Sequence, residues 1–473
     1  LKFIINILVF GSLISFSSCS DDSLDPTLSQ SKDLLTNLKT ISDLNTALLG
    51  GYNRMQSASY YGRDLIIFGE VRSDNAFSNA KSNRFVTVGR MNMLINDAYS
   101  ADTWSQIYKT IGSANIVLGK LPSEISGDQN KIKHIQGQAY IMRALGHYDL
   151  LRVFGQQFIA GQGGMNALGV PYVTTFRNPS DMYPSRQTVQ QNYDAIMKDL
   201  DAAIQLMDSS YDDPSKHYFT SMAAHALKAR IALYFKQYQL AEQEAAIVVN
   251  SNKYSVATAT NYLSTFNTDS TNNVIFSVDF NATDNLSSNS LANIYRGSYG
   301  DIVGLKNLYD IYDANDIRKT SAFIAKNGTS TAEYRNIGKY PNVSIPSDDV
   351  PVIRFEEVVL IYAEALLHNS KAGDALIQLN KIPANRNAVQ YTVANDTNIL
   401  LERRKELAFE GFRFDDLART GTSMPLVDPV RQTFGTVNFG DYNYAFPIPN
   451  TEVGANTNVK QNYKKEIGYS SNF

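Results

Sequence analysis

The chain has 473 residues, a formal net charge of −3, 43% apolar residues and one cysteine. A single cysteine excludes an internal disulfide framework. The near-neutral balance, without a basic tail or a long Lys/Arg run, excludes the electrostatic footprint of a nucleic-acid binder.

The first predicted element is an export signal. Residues 1–18 carry Lys2 near their start, run apolar from Phe3 to Phe16, and end in Ser17 and Ser18 directly before Cys19. A charged start, an apolar run of about 7–15 residues and small residues at the cut make a secretory signal. The run falls short of the roughly 20 residues that a membrane span needs. Two small residues followed by Cys look like a bacterial lipobox, although Phe16 stands where Leu is commoner. Residues 1–18 are therefore read as a lipoprotein signal peptide and Cys19 as the lipidation site. A secreted protein with a stray thiol, or a signal retained as an anchor, are the alternatives. Residues 19–32 are polar, include Pro26, and read as a lipidated flexible tether. Asp21 and Asp22 resemble the acidic export signal of surface lipoproteins in Bacteroidetes, or are plain linker chemistry.

Residues 33–473 are expected to form one mainly helical domain. Leu34, Leu35, Leu38, Ile41, Leu44, Ala47 and Leu48 recur at spacings of three and four, which predicts a helix over 33–56. Trp104, Ile107, Ile111, Ala114 and Leu118 predict a second over 98–121, with Trp104 in the core. Tyr140, Ala144, Tyr148 and Leu151 mark a third over 131–155. Gly137 and Gly146 cost that helix about 1 kcal/mol each against Ala, which points to close helix–helix approach. Segments starting at Leu227 and Leu360 align, Ala229 with Ala363, Leu233 with Leu367 and Ala241 with Ala375. Each reads as helix, short polar turn, helix, the grammar of tetratricopeptide-like hairpins that stack to share a core. Loop-rich stretches are expected near 57–97, 156–187, 251–350 and 420–450, with a short strand in NVIFSVDF at 273–280. Loops on such a frame are where binding surfaces usually sit.

Motifs for chemistry are sparse. The histidines are His134, His147, His217, His225 and His368, with no HExxH and no His/Cys pair at zinc spacing. His217 and His225 are predicted on one helix, two turns apart, too far for a shared metal. DANDIRK at 313–319 lacks calcium-loop spacing, so no metal and no cofactor is expected. The nearest approach to catalysis is LERRKELAFEGFRFDDLAR at 401–419. It holds Glu402, Glu406, Glu410, Asp415 and Asp416 among Arg403, Arg404, Arg413 and Arg419. Arginine neighbours lower a carboxyl's pKa, which suits an ion-pair network better than a general acid.

That segment also resembles the signature of the RagB/SusD family of nutrient-binding outer-membrane lipoproteins. Four more pieces agree in order: WSQIYKTIGSANIVL (104–118), GQAYIMRALGHYDLLRVFG (137–155), VIRFEEVVLIYAEAL (352–366) and FPIPNTEVGANTNVKQN (446–462). The likeness covers about 30–473. The resemblance implies tetratricopeptide-like helical hairpins packed against a loop-rich region with few short strands. It implies a protein that is not an enzyme, anchored by lipid on the outer face of the outer membrane. Its partner would be a SusC-like TonB-dependent transporter, to which it hands a nutrient, most often an oligosaccharide and sometimes a peptide. A non-catalytic protein scaffold is the competing reading.

A sugar site needs an aromatic face and polar side chains that reach hydroxyls. Trp104 being assigned to the core, the platform falls to Tyr or Phe. Two stretches lie loosely where family ligand loops do. One carries Tyr60, Tyr61, Arg72, Asp74, Asn75 and Phe77; the other carries Tyr295, Arg296 and Tyr299. The alternative is that these side chains hold their own loops together.

Overall fold

The computed structural model describes residues 37–462. Cys19, the signal, the tether, Leu34 and Leu35 lie outside the described residues.

The helical frame follows the apolar periodicity. Helix α1 (Ile41–Met55) starts at a reciprocal cap. The Thr40 hydroxyl accepts from Asp43 N–H at 3.2 Å, and the Asp43 carboxylate accepts from Thr40 N–H at 3.1 Å. Its buried face is Leu44, Leu48, Gly51 and Met55. After α2 (Asp64–Val71), β1 (Ala76–Ser78) and the short α3 (Val86–Gly89), helix α4 (Ala98–Leu118) opens on an Asp97 cap and buries Trp104, Ile107, Ile111 and Ala114. Helix α5 (Gln129–Phe154) is buried almost all round because α4 packs on one side and α6 (Val189–Leu206) on the other. A Cβ on Gly146 would lie 2.8 Å from Ile111 Cγ1, and one on Gly137 2.3 Å from Met207 Cγ. The close approach inferred from these glycines is present.

The two aligned segments form hairpins: α7 (Ser221–Tyr234) with α8 (Tyr238–Val249), and, further along the chain, α11 (Phe355–His368) with α12 (Ala372–Ala384). Helix α11 also packs against α8, so the hairpins stack. Helix α7 begins only at Ser221, where the Thr220 hydroxyl accepts from Ala223 N–H at 3.2 Å. His217 therefore precedes the helix that carries His225, which corrects the expectation that they share one.

The region between the hairpins holds β2 (Val274–Val278), α9 (Leu291–Tyr295), β3 (Ile302–Leu305), α10 (Lys306–Asp310), β4 (Ile324–Lys326), β5 (Glu333–Asn336) and β6 (Val350–Arg354). Strand β2 pairs antiparallel with β6, Val278 opposite Val350. The other four strands form an antiparallel sheet in the order β1-β3-β5-β4, Ala76 opposite Gly304 and Ser78 opposite Ile302. The stretches expected as loops at 57–97 and 251–350 thus carry short helices and strands. The chain continues through α13 (Asp396–Glu406), α14 (Arg413–Arg419) and α15 (Asn450–Ala455). One apolar core runs from Leu38 to Val459, with a smaller cluster around Phe414, Met424 and Tyr444.

Candidate functional site

The acidic signature segment is an interior scaffold. Glu406 accepts from Arg386 Nε and Nη2, both at 2.9 Å, from Arg318 Nη1 at 3.0 Å and from Arg354 Nη1 at 3.2 Å. Burial alone would raise its carboxyl, and the three guanidiniums overturn that and hold it far below the usual range. Glu410 is treated the same way by Arg354 and Lys339, and Asp416 by Arg403 and Arg419. Asp415 departs from the expectation. Burial keeps its carboxyl raised despite Arg152 and Arg72. The cavity between these groups, lined by Tyr61, Arg152, Arg230, Arg403 and Asp415, has about 40 Å³ of room for water centres. At about 10–15 Å³ per water that is a few solvent molecules, too little for a sugar ring.

Most of the residues picked from the sequence belong to the same interior. Tyr60 is fully buried and donates to Asp149 Oδ2 at 2.8 Å, with the Tyr61 ring against it at 4.7 Å. Arg72 lies between the rings of Phe414 (3.6 Å) and Phe446 (4.6 Å). Asp74 is clamped by Arg404 at 3.0 Å and Arg413 at 2.7 Å. Asn75 accepts from Arg404 Nε at 2.8 Å and donates to Glu70 at 3.0 Å. Phe77 is buried in the sheet. Tyr295 is fully buried and donates to the Phe409 carbonyl at 3.1 Å. Arg296 turns inward and donates to the carbonyls of Asn336, Lys339 and Tyr340. None of the tyrosines 60, 61 and 295 has a face open to a ligand. Assigning them to a stacking platform is corrected: the Tyr60 hydroxyl ties the turn before α2 to Asp149 of α5, and the Tyr295 hydroxyl ties the 290s to the signature segment. Tyr299 alone of the set is a half-buried aromatic at the surface.

The structure does bring the two chosen stretches together. The β1–β3 pairing sets the turn after β1 beside the turn before β3. Asn79 N–H donates to the Asp301 carbonyl at 2.8 Å, and its amide reaches the Gly300 carbonyl at 3.1 Å. Buried Asp301 accepts from Ser82 N–H at 2.8 Å and from the Ser82 hydroxyl. Ala80, Asn83 and Phe85 all adopt left-handed backbone, with φ of 58°, 60° and 58°. Such conformations cost free energy and persist only where surroundings impose them. Here the Phe85 ring stacks on Tyr99 at 4.7 Å while its N–H donates to the Tyr99 hydroxyl at 2.9 Å. The result aims Arg84 across the gap. Its guanidinium sits 3.6 Å over the Tyr299 ring and donates to Asn289 Oδ1 at 3.4 Å, an oxygen that also accepts from Arg63 at 2.7 Å. Lys81 reaches the Ser298 carbonyl at 3.5 Å, and Ser288 meets the Tyr299 hydroxyl at 3.4 Å. Lys81, Arg84, Ser288 and Asn289 were not singled out from the sequence. The signal available was the polar run NAKSNR between β1 and Phe85, read only as loop.

A second depression, about 360 Å³, runs along 255–273 and is lined by Thr258, Asn261, Thr268, Asp269 and Asn272, without an aromatic ring. Close by, His217, Asp279 and Asp349 present ligand-type atoms within 4.8 Å of one another, a grouping invisible in the sequence because the three are far apart in it. His217 Nε2 meets Asp349 at 2.7 Å while Nδ1 faces Asp279 at 3.8 Å. With a carboxylate at each ring nitrogen, the geometry fits an imidazolium bridging two acids. Burial lowers the ring's affinity for a proton, and Asp349 and Asp279 more than reverse this, so its pKa is raised.

Residues 21–233 match the family model described as "Starch-binding associating with outer membrane", and residues 247–469 match the one described as "SusD family". A protein of Formosa agariphila named SusD-like protein P2 is 26% identical over 490 residues, covering 90% of this chain and 92% of its own. A crystal structure of a SusD superfamily protein from Bacteroides thetaiotaomicron superposes with a TM-score of 0.81 at 25% identity, covering 90% of this chain and 100% of that one. A crystal structure titled a putative sugar binding protein, from Bacteroides vulgatus, gives a TM-score of 0.81 at 26% identity over 91% and 99%.

Proposed function

The chain belongs to the RagB/SusD family, and on that premise we propose that it is a non-enzymatic receptor that captures an oligosaccharide and delivers it to a SusC-like TonB-dependent transporter of the outer membrane. The capture site is the surface where the turn 78–85 meets the turn 295–301. The observation that carries this reading is the Arg84–Tyr299 pair with Asn289 and Ser288 around it. A half-buried aromatic ring capped on one face by a guanidinium, with amide and hydroxyl groups beside it, offers the mix of apolar and polar contacts that a sugar site uses. It stands on a backbone fixed by the β1–β3 pairing and the Asp301 contacts, so little order has to be bought on binding.

Non-enzymatic action is supported by the state of the acidic segment. General acid–base work needs carboxyls poised near the working pH and open to a substrate. Glu406, Glu410 and Asp416 are buried, ion-paired and held ionised. Anchoring at the outer face rests on Cys19 as a lipid attachment point, where more than one acyl chain gives durable membrane residence. No helix among the described residues is long and apolar enough to cross a membrane.

The test is calorimetric titration of the purified protein with an oligosaccharide panel, each titrated sugar then recovered and sized. One sugar class should bind and be recovered intact, with Tyr299→Ala abolishing the heat at an unchanged melting temperature. Shortened products, or co-purifying proteins with no sugar binding, would replace this reading with an enzyme or a scaffold.

A further inference from the structure

We infer that the ligand of this site is an acidic oligosaccharide, one that carries carboxylate or sulfate groups. The inference rests on the capture reading above and adds the ligand's charge. The chain as a whole is slightly acidic, yet the side chains around the turn 295–300 are not. Arg63, Lys81, Arg84 and Arg335 surround it, each through a contact to the turn or to Asn289 beside it, and Arg296 belongs to the turn and points inward. The acids nearby are Asp64, exposed Asp102, Asp301 and Asp348, while Glu333, next to Arg335, is shared with Arg431 at 3.1 Å. Asp64 is taken by Arg63 at 2.6 Å, and burial pushes its carboxyl up to about 6. Asp301 is wholly buried and spent on Ser82 and the backbone of Arg84. Asp348 accepts from Asn342 at both oxygens.

Of these cations Lys81 is exposed and Arg84 half-buried, whereas Arg296 and Arg335 are tied to backbone carbonyls. Lys81 and Arg84 form no ion pair among the described residues; their contacts are a carbonyl, an amide oxygen and the Tyr299 ring. Many arginines of this chain sit against carboxylates, among them Arg143, Arg230, Arg318, Arg386 and Arg419, while Arg54, Arg72 and Arg186 are held by a hydroxyl, aromatic rings or carbonyls instead. A guanidinium stacked over an aromatic ring keeps its N–H groups pointing outward above the ring, where they can form two parallel bonds to a carboxylate or sulfate. A neutral sugar would leave that edge and the Lys81 ammonium to water.

The experiment is calorimetry on the full-length protein with two matched pairs: a galacturonate tetrasaccharide against its carboxyl-reduced form, and a sulfated galactan tetrasaccharide against its desulfated form. The acidic member of one pair should bind and its neutral partner should bind at least about tenfold more weakly, the worth of one charged hydrogen bond. Which pair responds separates carboxylate from sulfate. Affinity should fall as NaCl rises, because exposed charges are screened. Arg84→Gln and Lys81→Gln should each weaken the acidic ligand about tenfold. Lys81 is exposed, so the second variant reports even if the first disturbs the turn. Neutral and acidic members binding alike, with both variants unchanged, would overturn the charge inference and leave oligosaccharide capture standing. No binding of any oligosaccharide, acidic or neutral, would overturn both.

Discussion

Glu406→Gln removes one charge from the most heavily paired carboxylate among the described residues and changes little else in its shape. The carboxylate and its partners Arg318, Arg354 and Arg386 are at most 2% exposed. Removing one member of a buried ion pair costs about 3–5 kcal/mol, because the remaining charge stays out of water without its counter-ion. Three guanidiniums are affected here, but each keeps another acid: Arg318 has Asp316 and Glu402, Arg354 has Glu356 and Glu410, and Arg386 has Glu356. The expected loss is therefore near the lower end of that range, about 3 kcal/mol. Against a typical total of about 5–15 kcal/mol this is large. Urea unfolding followed by circular dichroism would measure it as a lower midpoint at unchanged slope. The pH dependence carries a sign of its own. The native carboxyl is held below its ordinary value of 4.5, so its contribution is complete above that value and is lost as pH falls through the lower native one. The difference between wild type and variant should narrow in acid. A loss under about 1 kcal/mol at neutral pH would refute the treatment of this network as mutually dependent charges.

Gly69→Ala is expected to be severe, since a Cβ there would lie 1.9 Å from the Gly411 carbonyl oxygen, and backbone cannot swing aside. Poor soluble yield or a loss of more than about 3 kcal/mol in thermal unfolding is the expected result, and a neutral effect would contradict the packing of α2 on the signature turn. His217→Asn should cost stability below about pH 6.5 and progressively less as pH rises through the raised native value, where the wild-type ring loses its proton. Melting temperatures of both proteins from pH 5 to pH 9 check this, and a constant gap would rule out the bridging imidazolium. Tyr295→Phe removes the bond to the Phe409 carbonyl and should lower stability by about 1 kcal/mol with sugar binding unchanged. Lost binding at unchanged stability would return Tyr295 to the ligand site.

The helical frame was legible because its stripes are regular and its starts are capped. The stripe through Trp104, Ile107, Ile111 and Ala114 is the buried face found, and the aligned segments at Leu227 and Leu360 are stacked hairpins. The arginine–acid reading of 401–419 was also available, since unlike charges alternate there at helical spacing. What could not be read was burial without amphipathicity. All eight residues of α2, including Asp64 and Glu70, are interior, so no polar face marks it as a helix and its flanks pass for loop. Tyr60, Arg72, Asp74 and Asn75 looked like ligand chemistry for that reason, and their partners Asp149, Arg404 and Arg413 lie in other elements. The site itself depends on a strand pairing between residues 76–78 and 302–305 and on left-handed backbone at Phe85. Neither leaves a periodic trace.

A crystal structure of the protein soaked with a binding oligosaccharide tests capture at this surface most directly. Sugar density is expected against Tyr299, with an acidic group on Arg84 and the chain length unchanged. Density lying instead along 255–273, or a cleaved sugar, would contradict it.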